Sequence, residues 1–275
     1  MIKKIINKIR KKENPKNIAI IPLKGMIADN PRHLSFSSVL PALAKIEKIG
    51  KKFDAIALII NSPGGSPVQS SLIASRIRYV AEKHKLPVYA FVEDVAASGG
   101  YWLACAADEI YGDANSILGS IGVISASFGF TDLIQKIGVQ RRVYTSGESK
   151  SQLDPFKPEN PKDIEKLKML QNEIHHSFIN WVKARRGEKL AQDDSLFTGE
   201  FWTADKSIEL GLMDGIAHAY PWLKEKFGDK CELKVFTKEQ SMLKKFLNRS
   251  QFGSSLSDDL LATLKEQETW AKFGL

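Results

Sequence analysis

Two glycine turns carry the residues whose types could do chemistry. In Ala96-Ala97-Ser98-Gly99-Gly100 a serine follows an apolar run and sits among small neighbours. A nucleophilic serine needs that setting, a strand-to-helix corner with flanks small enough to admit a substrate carbonyl. Serine is also among the best helix N-caps, and taken alone the cap is the simpler reading of Ser98. In Asn61-Ser62-Pro63-Gly64-Gly65-Ser66 the paired glycines let backbone amides approach a ligand with no side chain between. Such amides can hold the oxyanion that develops in acyl transfer. This turn too reads, taken alone, as a tight corner with a helix cap at Ser62 or Ser66. It is neither a P-loop, lacking Gly-Lys-Ser/Thr, nor a dinucleotide fingerprint.

A serine nucleophile needs a base. His84 lies between Lys83 and Lys85, and the other histidines have no evident acidic partner, so a triad is poorly supported. Lys150, in Ser146-Gly147-Glu148-Ser149-Lys150-Ser151, follows an expected strand at Arg141–Tyr144 and could reach the same sheet edge. A lysine of pKa ~10.4 is only about 0.04% neutral near pH 7, whereas at ~7.5 it would be roughly a quarter neutral, at a cost of about 4 kcal/mol. That requires a dry site and a neutral hydrogen-bond partner, for which the hydroxyl of Ser120 in Gly119-Ser120-Ile121-Gly122 is a candidate. Among 40 Lys/Arg, any single lysine reads first as a surface residue.

The elements that would position these groups alternate between strand and helix. Apolar runs at Ile18–Leu23, Ala55–Ile60 and Pro87–Val92 read as strands, the first short, the second buried on both faces and the third buried. Leu40, Leu43, Ile46 and Ile49 share one helical face, and further helices are expected over Val68–Lys83, from Tyr101, near Asp132–Ile137 and over Lys162–Arg186. Short strands are expected around Ile110, over Ile121–Ile124 and over Arg141–Tyr144. Such alternation implies an α/β fold, a largely parallel sheet covered by helices. In such folds ligands sit where the chain leaves the carboxyl ends of strands, which is where both glycine turns fall.

Composition narrows the function. The 275 residues are 43% hydrophobic and 26% charged, ordinary for a soluble globular protein. Two cysteines are too few for a disulfide scaffold or a zinc site, and Cys105, in Leu103-Ala104-Cys105-Ala106, reads as a buried thiol. The five histidines show no metal spacing, and His175 and His176 point to different helix faces, so neither metal nor cofactor is expected. No signal peptide or membrane-spanning helix is apparent. Of the net charge of +8, residues 1–17 hold +6, so the body lacks the basic surface that nucleic acid would need. Within that segment Ile2, Ile5, Ile6 and Ile9 form an apolar stripe opposite the lysines. The pattern fits a short helix on an anionic membrane surface; it fits equally a solvated tail or a helix docked on a neighbouring subunit.

Taken together the segments are more specific than any one. Asn61–Ser66, Val95–Tyr101, Leu118-Gly-Ser-Ile-Gly-Val123 and Ser146–Lys150, followed by Phe201-Trp-Thr-Ala204 and Glu209-Leu-Gly-Leu-Met-Asp214, resemble the signal peptide peptidase A (SppA/SohB) family over roughly residues 17–220. The resemblance implies a ClpP/crotonase-like fold of layered parallel sheets with covering helices. It implies a serine endopeptidase with a Ser-Lys dyad, acting on short, extended, apolar peptides such as signal-peptide remnants. By position, Ser98 would be the nucleophile, Lys150 the general base, Ser120 the residue orienting that lysine, and the amides of Gly65 and Gly99 the oxyanion hole. In this family the lysine comes from a neighbouring copy within a ring, so a chain with one copy of the domain would act as a homo-oligomer.

The expected organisation is a basic amphipathic segment over residues 1–16, the peptidase domain over 17–220 and a helical C-terminal arm over 221–275 with a linker at Gly253-Ser254-Ser255. The expected location is cytoplasmic, with the basic segment as a peripheral substitute, at the inner face of the membrane, for the anchor that many members carry. Ser149 stands where members commonly have an aromatic residue, which bears on the substrate pocket. Two other readings share parts of the pattern: a crotonase-like acyl-CoA enzyme, which needs neither Ser98 nor Lys150, and a catalytically silent ring-forming scaffold at the membrane.

Overall fold

Continuous apolar runs predict strands buried on both faces, and the computed structural model shows why they are needed. It describes residues 15–30, 32–147, 149–237 and 267–275. The Ile2–Ile9 stripe, the Gly253–Ser255 linker and most of the helix expected over Asp258–Phe273 lie outside those residues.

Three strands form the centre: β1 (Asn17–Lys24), β2 (Ala55–Ser62) and β3 (Val88–Ala97), all parallel in the order β3-β2-β1. Their side chains alternate between two apolar layers. Ile21, Ile56, Leu58, Ile60, Val88 and Ala90 face one, and Ile18, Ile20, Ala57, Ile59, Tyr89 and Phe91 face the other. The first layer is closed by α1 (Phe36–Ile49), α2 (Pro67–His84), α3 (Gly99–Ala104) and α5 (Pro161–Arg186). The second is closed by α7 (Ala219–Phe227), whose Trp222 ring lies 4.9 Å from Tyr89 and 5.4 Å from Phe91. Local signals start the helices: Ser35 and Ser38 make a capping box for α1, and Ser66 followed by Pro67 opens α2.

Four differences from the expected elements matter. First, β3 does not stop at Val92. It runs on through Glu93 and Asp94, both exposed, to Ala97. Its register against β2 shifts there, from Ile60 opposite Val92 to Ser62 opposite Ala96, so β3 holds two extra residues. The Asn61 side chain fills the irregularity, donating to Asp94 and accepting from the Val95 amide. Beyond the bulge β3 also changes its outer neighbour. Its first half pairs with β4 (Glu109–Gly112) and its second with β5 (Ile117–Gly119). Second, β5 ends before the expected Ile121–Ile124 strand, because Ser120 and Gly119 adopt positive φ and turn the chain.

Third, Arg141–Tyr144 forms no strand, since no strand among the described residues lies beside it to take its backbone bonds. It belongs to an exposed arm, residues 122–160, containing α4 (Thr131–Lys136) and tied internally by Arg141 bound to Asp154 at 2.9 Å. Fourth, the run after Pro221, read as helical, contains β8 (Glu232–Val235), which pairs with the free edge of β1. Two short strands complete the sheet: β6 (Phe201–Trp202), antiparallel to β5, and β7 (Gly215–Ile216), parallel to β4. The small helix α6 (Ala204–Glu209) lies between them in sequence.

A buried ion pair locks the end of α5 to the sheet. Arg186, 1% exposed at its side chain, donates from Nη1 to Asp214 Oδ2 at 2.7 Å and from Nε to the Gly211 carbonyl at 2.8 Å. The same carboxylate takes the Ile110 amide at 2.7 Å and Lys189 Nζ at 2.6 Å. Burial pushes the Asp214 carboxyl up, but the bonds from Arg186, Lys189 and Ile110 together hold it below its ordinary value. Asp214→Ala should therefore cost about 3–5 kcal/mol in urea unfolding, because Arg186 is left charged and buried. In wild type the contribution of Asp214 is complete above the free-carboxylate pKa of about 3.9 and declines as pH falls below it, whereas the variant's unfolding should lack that component.

Candidate active site

The site forms where the turns after β2 and β3 meet. Ser62 pairs with Ala96 in parallel register, so the residues following each strand leave the sheet side by side. The approach is closer than a side chain allows. A Cβ built on Gly64 would lie 2.8 Å from Ser98 Cβ and 2.7 Å from the Ala97 carbonyl oxygen; one on Gly65 would lie 2.0 Å from the Ile27 carbonyl oxygen. Ile27 bridges to this turn, its amide donating to Gly64 O and its carbonyl accepting from Ser66 N, both at 2.8 Å.

Ser98 occupies the N-cap position of α3 with φ 51 and ψ −121, yet its side chain makes no capping bond. That excludes the cap as the role of its hydroxyl. A non-glycine residue in this region costs of order 1–3 kcal/mol, and such strain persists only where surrounding contacts over-determine it. Here they do: the Ser98 amide donates to Gly119 O at 2.9 Å, the Ser98 carbonyl accepts from Trp102 N at 3.0 Å, and Gly64 leaves no room for a side chain of its own beside the Ser98 Cβ. Neither the Gly65 nor the Gly99 amide donates to a backbone carbonyl among the described residues. The two lie together, since a Cβ built on Gly99 comes within 3.3 Å of Gly65 N. Gly99 also opens the first turn of α3, where amides are unpaired and the helix dipole favours negative charge.

The turn Gly119–Gly122 supplies the third wall. Ser120, with φ 52, is partly buried; its amide donates to Glu200 O at 2.6 Å and its carbonyl accepts from Gly122 N at 3.0 Å. Ser98, Gly65, Gly99 and Ser120 therefore share one locality. Lys150 does not join them within the single chain. It is exposed on the 122–160 arm, and its Nζ makes no hydrogen bond to Ser98 or Ser120 among the described residues. Cys105, the nearest thiol along the chain, is fully buried at the end of α3, and burial pushes it up to about 12, so it is no rival nucleophile.

Sequence reasoning missed three contributors. Gly64 lies so near Ser98 that a Cβ on it would stand 2.8 Å from Ser98 Cβ, Ile27 supplies the backbone that braces Gly65, and Ser70 packs its Oγ 2.4 Å from where a Gly99 Cβ would stand. Ser70 had a local signal, lying four residues after the Ser66 cap with its hydroxyl donating back to Ser66 O at 2.9 Å. Ile27 had none, because its contact is set by tertiary structure.

These packing relations separate two substitutions. Gly65→Ala meets a backbone carbonyl at φ +140 and should lower the melting temperature with no nearby repair. Gly99→Ala meets mainly the Ser70 hydroxyl, so Gly99→Ala/Ser70→Ala should regain most of the lost stability. Its new methyl would still crowd the Gly65 amide. On the expectation that Ser98 is the nucleophile and Gly65 an oxyanion donor, fluorophosphonate labelling of Ser98 should stay low in the double variant although its thermal unfolding recovers.

Comparison with known proteins places the chain in a family and a fold. The model of Peptidase family S49 matches residues 80–225. A Synechocystis sp. protein carrying a protease name is 30% identical over 266 residues, covering 94% of this chain and 92% of that one. Serine protease SPPA, chloroplastic, of Arabidopsis thaliana is 32% identical over 237 residues, 82% of this chain and 34% of that one. Na(+)/H(+) antiporter NhaA of Brucella melitensis biotype 1 is 46% identical over 271 residues, 94% of this chain, but the chain spans only 37% of that relative's length. Among solved structures, a lysine-to-alanine mutant of the 1510-N membrane-bound stomatin-specific protease, in complex with a substrate peptide, superposes with TM-score 0.52 at 15% identity, covering 86% of this chain and 97% of that one. The fold is accordingly α/β of the ClpP/crotonase-like kind. Among the described residues no helix is long and apolar enough to cross a membrane.

Proposed function

Since the chain belongs to Peptidase family S49, we propose that it is a serine endopeptidase in which Ser98 is the nucleophile and Lys150 the general base. The observation that carries this reading is the Ser98 corner itself: a strained serine whose hydroxyl caps nothing, beside two amides without backbone acceptors. Ser98 Oγ attacks the peptide carbonyl carbon and passes its proton to Lys150 Nζ. The amides of Gly65 and Gly99 hold the oxyanion. Collapse breaks the C–N bond as Lys150 returns the proton to the leaving amine; a water deprotonated by Lys150 then attacks the acyl carbon, the bond to Ser98 Oγ breaks to release a carboxylic acid, and Lys150 returns the proton to Ser98 Oγ.

Ser120 orients the lysine. Substrates are short, extended, apolar peptides, signal-peptide remnants among them, bound as an added strand. The exposed Val68 and Leu72, which follow Gly65 in the first turns of α2, support an apolar preference. The antiporter name of the Brucella relative we assign to the part of that longer protein outside the matched 37%.

We assign Lys150 to a neighbouring copy within a homo-oligomer. In the single chain its arm leaves Ile124 77%, Phe128 79% and Tyr144 90% exposed, apolar surface that a second copy would cover while drying the lysine. Mixing inactive Ser98→Ala and Lys150→Ala chains tests both assignments. Each variant alone should lose at least about a thousandfold in cleavage of an apolar peptide mixture, and co-refolded mixtures should regain about a quarter of wild-type activity, the share of sites holding both groups on random mixing. No recovery would place the lysine in the same chain as its serine. Full activity of Lys150→Ala would remove it from the mechanism.

A further inference from the structure

We propose that His175 is a positioning residue for this site, fixing the Ser120 turn and, through Gly119, the backbone of Ser98. The inference rests on the Ser98 reading and deepens it. His175 Nε2 lies 3.0 Å from the Ile121 carbonyl oxygen, which can only accept, so Nε2 carries the proton. Ile121 is fully buried.

The bond acts on a strained and consequential segment. Ser120 has φ 52, and the preceding carbonyl, Gly119 O, holds the Ser98 amide at 2.9 Å. A residue in that conformation stays put only when its neighbours hold it from several sides. Glu200 O takes the Ser120 amide on one side, and His175 takes the Ile121 carbonyl on the other.

His175 also shares a helix face with the groups that carry the nucleophile's own helix. On α5 it is followed at three- and four-residue intervals by Phe178, Trp181 and Arg185. Phe178 stacks on Trp102 at 4.8 Å, Trp181 Nε1 donates to Trp102 O at 3.0 Å, and Arg185 Nε donates to Cys105 O at 2.9 Å. One face of α5 thus supports both α3, which Ser98 precedes as N-cap residue, and the Ser120 turn. His175 is its only direct side-chain hydrogen bond to that turn among the described residues.

The test compares His175→Phe, His175→Ala and His175→Gln with wild type, His176→Phe and Ser98→Ala, in the full chain. Turnover, KM, fluorophosphonate labelling of Ser98 and thermal unfolding are read together. His175→Phe and His175→Ala should lower kcat and labelling at least about tenfold, with KM changed by less than about threefold. His175→Gln, which keeps an N–H donor, should recover most of the loss, and His176→Phe should match wild type. Wild-type turnover in His175→Ala, with Ser98→Ala inactive, would overturn the inference and leave the serine reading intact. Equal losses in the Gln and Ala variants, or failure of all three to fold, would make His175 merely structural and also overturn it. Activity surviving in Ser98→Ala would instead remove the underlying reading.

Discussion

The contact on which the rest depends is backbone against backbone: the Gly64-Gly65 turn pressed on Ala97-Ser98-Gly99. No Cβ fits at Gly64, since it would stand 2.7 Å from Ala97 O. Bringing these turns level sets the register of the whole sheet. Between its pairings with Ile60 and Ser62, β3 spends two more residues than β2. Without the Glu93-Asp94 bulge Ser98 would be displaced along the strand by roughly 6–7 Å at about 3.3 Å per residue, well out of reach of the Gly65 amide. The bulge also redirects β3 from β4 to β5, and β5 delivers Gly119 and Ser120 to the same corner.

The two halves of the proposed site differ in physical character. The acyl-binding half is made of main-chain amides held by buried strands, and it costs no reorganisation during reaction. The proton-handling half is a lysine on an exposed arm. A neutral lysine near pH 7 demands desolvation, which the single chain does not provide around residues 122–160. On the proposed mechanism, assembly supplies that missing desolvation, so an isolated subunit would present its oxyanion amides and a serine without a competent base.

Much of this was legible in the sequence. The continuous apolar run at β2 has one stable environment, a sheet covered on both sides, and the structure buries it so. The Ser98 corner and the Gly65 turn each read, taken alone, as a helix cap or a tight turn, and only the motifs taken together singled them out. The continuation of β3 was not, because two adjacent acidic residues signal a strand end unless a bulge turns both toward solvent. Nor was β8, whose Glu232-Leu233-Lys234-Val235 finds its place only because β1 offers an open edge. Arg141–Tyr144 shows the converse: strand-like composition forms no strand where no partner edge is present. His175 carried no catalytic signal at all, since its partner is a carbonyl 54 positions away.

A site built from main-chain groups constrains sequence in a particular way. It fixes a few positions by size, such as Gly64, Gly65 and Gly99, where a methyl group meets backbone or the Ser70 hydroxyl. It asks of the surrounding core only volume and apolarity, which many residue combinations satisfy. The fold can therefore persist at 15% identity across 97% of a solved chain. The residues that do carry side-chain information are those that aim the backbone from outside it: Asn61 in the bulge, Arg186 and Asp214 at the end of α5, and His175 on the Ser120 turn. Each acts on a carbonyl, an amide or a charge already out of water, so losing it leaves an unpaired group that the rigid corner cannot relax to satisfy.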